Sequence, residues 1–431
     1  MNTHPDSCNH PADQLASFME RIYRYRMTTT SGGNLSILDA EDSLWITPSQ
    51  TDKGNLTHHD IVCVRPNGAV EGKHRPSSEF PFHQLIYQAR PDIRAIIHAH
   101  PVALVAFSMC GKKPNTDAFN RAHAVCGKVA FAPYALPGSV KLGQNIAAEF
   151  ARGFNCVMLE NHGVVIGGAN LEEAFERFET LEFTARIILK AQPLGGEIQY
   201  LTSRQLEMAN DQKGNFPTFA PSAIDIREKG VREDLCKFIQ RGYRQRLLTA
   251  AQGSFSARLD KERFVITPGE VDRAHINYPD LVLVDGERQE EGKVPSRSLL
   301  LHNAIYKKHP EIGAIVLATP TNATAFSITH QALDSRTIPE SYIFLRDVLR
   351  IPFASVYGNG DEVAAVISLA SPAAILENSG VLVVGKSVLD VFDRLEVLES
   401  TADALITARP LGAVHPMGPE VIEELKKAFS L

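Results

Sequence analysis

The sequence has no apolar run near the roughly 18 residues that a membrane-spanning helix needs, since its apolar stretches, such as residues 163–168, are short and bounded by glycine. It has no excess of positive charge either, because 44 Lys and Arg residues stand against 50 Asp and Glu residues, for a net charge of −6. That balance excludes a nucleic-acid binder that relies on bulk basicity. The first residues also lack the basic-then-apolar order of a secretory signal, so we expect a cytoplasmic protein with no membrane or nucleic-acid partner.

Cysteine is scarce and irregularly spaced. Six cysteines occur, none of them in a C-x-x-C pair: Cys8, Cys63, Cys110, Cys126, Cys156 and Cys236. This spacing favours free thiols over disulfides or a zinc-finger cluster. The rest of the composition is ordinary for a folded chain, with 44% hydrophobic and 22% charged residues. A length of 431 residues exceeds the roughly 100–200 of one compact domain, so we expect at least two domains.

The chain contains two copies of one sequence pattern. Residues 30–36 (TSGGNLS) are matched by residues 250–256 (AAQGSFS), and residues 159–168 (LENHGVVIGG) are matched by residues 376–385 (LENSGVLVVG). The offset between the copies falls from 220 to 217 along the chain. A drifting offset with a constant order of matches indicates a duplication followed by small loop deletions.

The two copies predict two domains. The Gly, Pro and polar content of residues 210–223 is typical of a linker. We therefore predict a first domain of residues 1–209 and a second domain of residues 224–431. In each domain, short β-rich runs such as residues 44–46 and 156–159 alternate with amphipathic helical stretches. We expect an α/β fold in which helices cover one sheet, with a strand order that the pattern alone does not fix.

Three histidines of the first copy are candidate metal ligands. His98 and His100 end a predicted strand two residues apart, so their side chains project to the same face. His162 follows the strand of residues 156–159, in a turn that Gly163 allows. Three neutral imidazoles leave a Zn²⁺ ion an open position, as in catalytic sites. An isolated H-x-H pair is by itself more often incidental.

The second copy lacks these histidines but keeps the apolar framework around them. Leu317, Thr319 and Ser379 occupy the equivalent positions. Histidines that held the core together would be needed in both copies, so their joint loss indicates one functional set. Glu79 belongs to the same set, because the second copy has Ser298 at its position. A carboxylate at a helix start is favourable next to the helix dipole, but beside a divalent ion it can ligate or transfer a proton.

Small-residue loops accompany these positions. Ser77 or Ser78 is expected to cap a helix that runs through Glu79. The loops of residues 32–36 and 47–50 offer backbone N–H, amide and hydroxyl donors that can hold a phosphate without a basic side chain. Each loop alone is an ordinary turn. Together with the histidines, they indicate an anionic substrate.

The motifs GGNLS, ITPSQ, EGK followed by RPSSE, HAHP, FAPY and NHG occur in the order seen in the class II aldolase/adducin family. The first copy resembles the L-fuculose-1-phosphate aldolase branch of that family over residues 15–205. The second copy is a degenerate match over residues 225–420. The resemblance implies two tandem α/β/α domains, each with a mainly antiparallel central sheet flanked by helices.

The resemblance also assigns residues to the site. It implies that Zn²⁺, or another divalent metal such as Mn²⁺ or Fe²⁺, is bound by His98, His100, His162 and Glu79. It implies that the phosphate pocket is lined by Asn34, Ser49, Gln50, Ser77 and Ser78, although the family usually has glycine at position 50. Glu79 would then also shuttle a proton, while the ion stabilises an enediolate.

The reaction that the resemblance favours is retro-aldol cleavage of a sugar phosphate or a similar small anionic ketose. Epimerisation, dehydration and decarboxylation at the same site stay open, as does a non-catalytic, adducin-like interaction module. The aldolase branch takes an acid tyrosine from a neighbouring subunit, whereas the first copy has Ala118, Phe119 and Asn120 at about that place. We hypothesise that Tyr342 of the second copy supplies this acid. By analogy with the cyclic tetramers of the branch, we expect a homodimer with a pseudo-fourfold arrangement.

Overall fold

A computed structural model describes residues 10–210, 216–221, 223–269 and 271–431. By their contacts the described residues fall into two compact units, the first within residues 10–116 and 121–185 and the second made of the described parts of residues 117–120 and 186–431. No helix among the described residues is both long enough and apolar enough to cross a membrane.

The contact-based units and the predicted domains differ over residues 117–120 and 186–209, which count with the second unit. Within that unit, for example, Gln199 N–H donates to the Ile328 carbonyl at 2.8 Å. The division of the sequence at the linker of residues 210–223 stays a prediction, and residues 211–215 and 222 of that linker lie outside the described part of the chain.

The first unit is built on one sheet. Its strands among the described residues are β1 Asn34–Leu38, β2 Leu44–Ile46, β3 Val62–Val64, β4 Val70–Glu71, β5 Ala95–Ala99, β6 Val129–Ala132, β7 Cys156–Leu159 and β8 Val164–Gly168. They lie in the order β4-β3-β2-β1-β5-β8-β7-β6. The pair β6 and β7 is parallel, and the other neighbouring strands are antiparallel.

Helices accompany this sheet. They are α1 Pro11–Arg24, α2 Phe80–Ala89, α3 Val102–Met109, α4 Asn120–Cys126, α5 Val140–Ala151 and α6 Leu171–Ala191. Phe82 and Ile86 of α2 and Ile146 of α5 join Ile96 of β5 and Val165 of β8 in one buried apolar cluster. Strand β5 is buried along its whole length, which is why its sequence is a continuous apolar run rather than an alternating one.

The second unit repeats this plan. Its sheet has the described strands β9 Thr218–Phe219, β10 Ser254–Arg258, β11 Arg263–Ile266, β12 Val282–Asp285, β13 Arg288–Glu290, β14 Ala314–Ala318, β15 Leu349–Ile351, β16 Ala373–Leu376 and β17 Gly380–Gly385. The order is β15-β16-β17-β14-β10-β11-β12-β13-β9, and the pairs β15–β16 and β13–β9 are parallel. Strand β9 comes from the predicted linker and extends the sheet by one edge strand.

Helices also accompany the second sheet. They are α7 Ser203–Asn210, α8 Ile226–Arg244, α9 Leu299–Lys308, α10 Thr321–Ala325, α11 Pro339–Leu345, α12 Phe353–Val356, α13 Asp361–Val366, α14 Val388–Ala408 and α15 Pro419–Phe429. The prediction of two tandem α/β domains with mainly antiparallel sheets is confirmed. The thiols of Cys63, Cys110, Cys126, Cys156 and Cys236 are free, as predicted, while Cys8 lies outside the described residues.

Candidate metal centre

The centre is formed at the carboxyl end of β5, in the middle of the first sheet. His98 pairs in register with Asn34 of β1 and with Val165 of β8, and His100 follows just beyond the strand. The Nε2 atoms of His98 and His100 lie 3.1 Å apart. The alternation of side chains along a strand therefore places both imidazoles on one side, as the sequence predicts.

His162 joins them from the turn between β7 and β8. Its ring centroid lies 4.9 Å from that of His98 and 5.0 Å from that of His100. The turn is held by its backbone, because His162 N–H donates to the Leu159 carbonyl and to Ser108 Oγ, each at 3.1 Å. Gly163 is required here, since a Cβ on it would lie 2.5 Å from the Ala99 carbonyl oxygen.

The three histidines fit a divalent ion. One ring nitrogen from each lies within 4.8 Å of the others. The Nδ1–H of His98 donates to the Val164 carbonyl at 3.0 Å, so Nε2 is the nitrogen that faces its partners. A backbone bond of this kind fixes ring orientation in metal sites. The donor set of three imidazoles suits Zn²⁺ and similar ions.

Glu79 supplies the carboxylate of the set. Its Oε2 atom lies 3.2 Å from His98 Nε2, and its Oε1 atom lies 3.7 Å from His162 Nε2. The residue is 8% exposed, and Oε1 has no hydrogen-bond partner. Helix α2 begins at Phe80, so Glu79 is the N-cap residue rather than a residue inside the helix as predicted. Its own N–H donates to Ser77 Oγ at 3.3 Å, but no side chain caps the first turn of α2, so the prediction that Ser77 or Ser78 caps this helix is wrong.

The charges of the centre favour a cation. Burial alone raises the pKa of Glu79, but His98, the Asn34 amide and His162 outweigh burial and hold that pKa below its ordinary value. Burial and neighbouring imidazoles lower the pKa of His100 to about 3 and that of His162 to about 4. These two rings are therefore neutral at pH 7, with lone pairs to offer beside an ionised carboxylate.

A directed chain of hydrogen bonds runs behind Glu79. Asn34 Nδ2–H donates to Glu79 Oε2 at 2.8 Å, and Asn34 Oδ1 accepts from His83 Nε2–H at 2.5 Å. Burial lowers the pKa of His83 to about 3, so its ring is neutral and Nδ1 accepts from Ser36 Oγ–H at 2.7 Å. Ser36 Oγ in turn accepts from the Tyr87 hydroxyl at 2.7 Å. The pattern of donors leaves one arrangement of protons.

Close packing brings the glycine-rich loop against the centre. A Cβ on Gly33, which has φ of 71°, would lie 2.7 Å from the His98 carbonyl oxygen. A Cβ on Gly32 would lie 3.0 Å from His100 Nδ1. Lys53 is buried beside this loop, where its N–H donates to the Thr30 carbonyl at 2.8 Å and its ammonium donates to the Pro48 carbonyl.

The structure brings together the loops predicted to hold phosphate. Pro48 and Pro76 form a β-bridge, so Ser49 and Gln50 lie near Ser77 and Ser78. Gln50 has φ of 53°, a conformation that favours the glycine usual in the family at this position. Phosphate binding by these residues stays a prediction, as it does for Asn34, whose side-chain amide is engaged by Glu79 and His83 in the bonds given above.

Tyr342 belongs to α11 of the second unit and is 4% exposed, and its role as the acid stays a hypothesis. Of the positions equivalent to the metal ligands, Leu317 lies in β14 and Thr319 just beyond it, while Ser379 lies between β16 and β17 and Ser298 precedes α9. The second unit thus keeps the frame without the histidines, as the sequence predicts.

The family is decided by comparison with known proteins. The family described as Class II Aldolase and Adducin N-terminal domain matches residues 13–189 and, a second time, residues 233–406. The chain belongs to this family. Its two matched segments cover most of the chain and coincide with the two copies found in the sequence.

Relatives within the class II aldolase family match less than half of the chain each. The chain is 36% identical over 193 residues to a 3-oxo-tetronate 4-phosphate decarboxylase of Pectobacterium atrosepticum, which covers 44% of this chain and 85% of that protein. It is 34% identical over 167 residues to an L-fuculose phosphate aldolase of Methanococcus maripaludis, a match that covers 38% of this chain and 89% of that protein. The solved structure of an L-fuculose 1-phosphate aldolase is 32% identical in sequence and has a TM-score of 0.43. The match covers 47% of this chain and 95% of that chain.

Four residues behind the centre of this class II aldolase chain were not predicted to lie there, although the loop of residues 32–36, which contains Ser36, was predicted to offer donors to a phosphate. They are Ser36, His83, Tyr87 and Lys53. For the first three a signal exists, since Ser256, His302 and Tyr306 of the second copy make the same bonds at 2.7 and 2.8 Å. Their presence in both copies marks them as part of the frame, which the Asn34 amide then connects to Glu79.

Proposed function

We propose that the first unit is a divalent-metal-dependent carbon–carbon lyase that acts on a small phosphorylated sugar, with retro-aldol cleavage as the leading reaction. One observation carries the proposal: three imidazoles and the carboxylate of Glu79 converge at the end of β5, and Glu79 Oε1 is buried without a partner. A bound cation at such a centre polarises a carbonyl and stabilises the negative charge that develops when the bond breaks.

The protein's own residues hold the ion and the substrate. His98, His100, His162 and Glu79 are the proposed ligands, and Zn²⁺ is the ion that we expect. Glu79 Oε2 is fixed by Asn34, so Oε1 is the oxygen that is free to take or give a proton. The backbone N–H groups and hydroxyls of residues 47–50, Ser77 and Ser78 are proposed to receive the phosphate.

Decarboxylation of a phosphorylated 3-oxo acid is the second candidate reaction. It is favoured by the likeness to a 3-oxo-tetronate 4-phosphate decarboxylase and by the lack of a tyrosine at Ala118, Phe119 and Asn120. Retro-aldol cleavage must remove a proton from the hydroxyl that becomes an aldehyde. Loss of CO₂ from a carboxylate requires no such proton transfer.

The test is a cleavage assay on the purified chain with its metal content measured. We expect one divalent ion at the centre, and activity that chelation abolishes and Zn²⁺ restores. Ketose phosphates and phosphorylated 3-oxo acids are assayed side by side, so that release of an aldehyde separates retro-aldol cleavage from release of CO₂. Product isomers or loss of water would instead indicate epimerisation or dehydration.

Matched variants sharpen this test. His162→Ser installs the residue of the second copy, so it should abolish metal binding at the centre and turnover. Ser379→Ala alters the equivalent position of the second copy and should leave both unchanged. A chain that binds no ion at the centre and cleaves neither class of substrate would overturn the proposal and favour a non-catalytic, adducin-like interaction module.

We also propose a homodimer with a pseudo-fourfold arrangement, in which each chain contributes two aldolase-like domains. The support is the tandem repeat, since two chains then provide four similar domains around one axis. Analytical ultracentrifugation measures the mass directly. A chain that sediments as a stable monomer at assay concentration would contradict this arrangement.

A further inference from the structure

A second group of imidazoles and a carboxylate lies at the start of α1, away from the centre described above. It consists of His10, Asp13 and His58. His58 Nδ1 lies 3.0 Å from Asp13 Oδ1, and the rings of His10 and His58 have centroids 4.5 Å apart. One ligand atom from each of the three residues lies within 4.8 Å of the others. All three side chains are within reach of solvent, so an ion can enter without a change of fold.

The distances suit a shared ion. Two atoms that bind one ion at about 2.0–2.1 Å in tetrahedral geometry lie about 3–3.5 Å apart, and the His58 and Asp13 atoms already have this separation. An ion there takes the place of the proton between the two atoms, while the His58 proton moves to Nε2 and the ring stays neutral. Two imidazoles with one carboxylate suit Zn²⁺, Cu²⁺ or Ni²⁺ rather than Mg²⁺ or Ca²⁺.

In the second copy a positively charged side chain lies at this corner of the domain. Glu233 and Tyr278 occupy the positions of Asp13 and His58 at the offset of 220. There the Lys229 ammonium lies 3.7 Å from Glu233 and 5.4 Å from the centre of the Tyr278 ring. In the second copy the carboxylate therefore lies beside an ammonium, whereas in the first copy it lies beside two imidazoles that can bind a cation together with it.

We propose that His10, Asp13 and His58 form a second divalent metal site, which takes a late first-row ion such as Zn²⁺. The site joins the first turn of α1 to the 3₁₀ helix His58–Asp60. It does not depend on the reaction proposed for the first unit, because none of its residues belongs to the catalytic centre. Water completes the coordination, as at other sites with three protein ligands.

Binding has a local cost at His10. Its Nδ1 accepts the N–H of Ala12 at 3.2 Å and so caps α1. Coordination by His10 gives up this bond, which lowers the affinity by roughly fivefold if the cap is of ordinary strength. No further penalty is expected, because His58 and Asp13 keep their present places. We therefore expect His10 to contribute less to binding than His58 or Asp13.

Equilibrium dialysis of the full chain against Zn²⁺ tests the proposal. We expect two bound ions for the unaltered chain and one for His58→Ala. Asp13→Asn should weaken the second site by at least about tenfold. His59→Ala is the matched control, because it removes a neighbouring imidazole that lies outside the set, and it should still bind two ions.

A second measurement covers any variant that folds poorly. Zn²⁺ should raise the thermal midpoint of His162→Ser, which retains the second site, and should fail to raise that of the double variant with His58→Ala. The proposal is overturned if His58→Ala and His59→Ala bind the same number of ions, or if the double variant still responds to Zn²⁺ as His162→Ser does.

Discussion

Asn34 donates its amide N–H to Glu79 Oε2 across 2.8 Å, and this bond decides which carboxylate oxygen stays free. The amide cannot be turned over, because Asn34 Oδ1 accepts from His83 Nε2–H. Glu79 Oε1 is left buried without a hydrogen-bond partner, 3.7 Å from His162 Nε2. Asn34 therefore acts in this structure as a positioning residue for Glu79, in addition to the phosphate contact that the family resemblance implies.

Asn34→Ser installs the residue found at this position in the second copy. We expect kcat to fall by about 10- to 100-fold, since loss of a group that orients a metal ligand typically costs this much. The Zn²⁺ affinity of the protein should fall by a similar factor, which a role in phosphate binding alone would not produce. Ser254→Asn is the control. An unchanged Zn²⁺ affinity would show that the Asn34 bond does not orient Glu79.

Glu79→Gln keeps the shape of the side chain and removes its charge. We expect kcat to fall by about 10²- to 10⁴-fold, the usual contribution of a general acid or base. The measurement is turnover per bound metal, so that loss of metal is counted separately from loss of proton transfer. If turnover per bound metal equals that of the unaltered protein, Glu79 is a ligand only.

The strands that the sequence predicted well are those flanked by residue types that end a strand. Strand β2 spans Leu44–Ile46 and β7 spans Cys156–Leu159, as predicted, because Pro, Gly and Asn flank these apolar runs. The metal set was found because the second copy lacks it while keeping the frame. A duplicated chain therefore separates residues needed for function from residues needed for folding.

The hydrogen bonds between the side chains behind Glu79 could not be predicted from the sequence. The His83 ring bonds to Ser36 and Asn34, which precede it in the sequence by 47 and 49 residues. Such contacts depend on strand register and on side-chain rotamers, which periodicity does not report. The start of α2 was also misplaced, because Glu79 is the N-cap residue and neither Ser77 nor Ser78 caps the helix.

Tyr342→Phe tests the source of the acid. If Tyr342 protonates or deprotonates the substrate in retro-aldol cleavage, the variant should lose about 10²-fold in kcat with little change in KM. Tyr357→Phe, at a partly buried tyrosine of the second unit, is the control. Equal turnover of Tyr342→Phe and the unaltered protein would end the hypothesis and favour decarboxylation, which needs no such acid.

His302 makes stability depend on acid pH. Burial lowers its pKa to about 3, whereas the unfolded value is about 6.5. Between these pH values the ring is protonated in the unfolded chain but neutral in the native chain. The contribution of His302 to the free energy of unfolding is therefore present above pH 6.5 and is lost as the pH falls. The loss from this group is about 2 kcal/mol at pH 5.

The check is urea unfolding of the metal-free protein at pH 7 and pH 5. His302→Leu removes the titrating ring, so its stability should fall less over this interval than that of the unaltered protein. Identical falls for the two proteins would show that His302 is protonated in the native state.

Lys53 connects the glycine-rich loop to residues 47–50 and has a counterpart in the second copy. Arg273 there donates to the Gly253 and Pro268 carbonyls, as Lys53 does to Pro48. Lys53→Met should therefore raise KM for a phosphorylated substrate and destabilise the protein by about 2 kcal/mol at pH 7, the usual cost of losing a buried charged donor. Lys53→Arg places at this position the type of donor found in the second copy. It should therefore largely keep both the KM and the stability of the unaltered protein.

At alkaline pH, Lys53 should change the stability of the protein in a way that can be measured. Burial lowers its pKa to about 8 from 10.5, so between these values the unfolded chain binds a proton that the native chain has lost. Native stability should rise with pH across this window, by up to about 3 kcal/mol from this group. Urea unfolding at pH 8 and pH 10 measures it, and the rise should be smaller in Lys53→Met and in Lys53→Arg, neither of which titrates there. A rise of equal size in all three proteins would mean that Lys53 keeps its proton in the folded state and that its ammonium, rather than a neutral amine, binds the Pro48 carbonyl throughout.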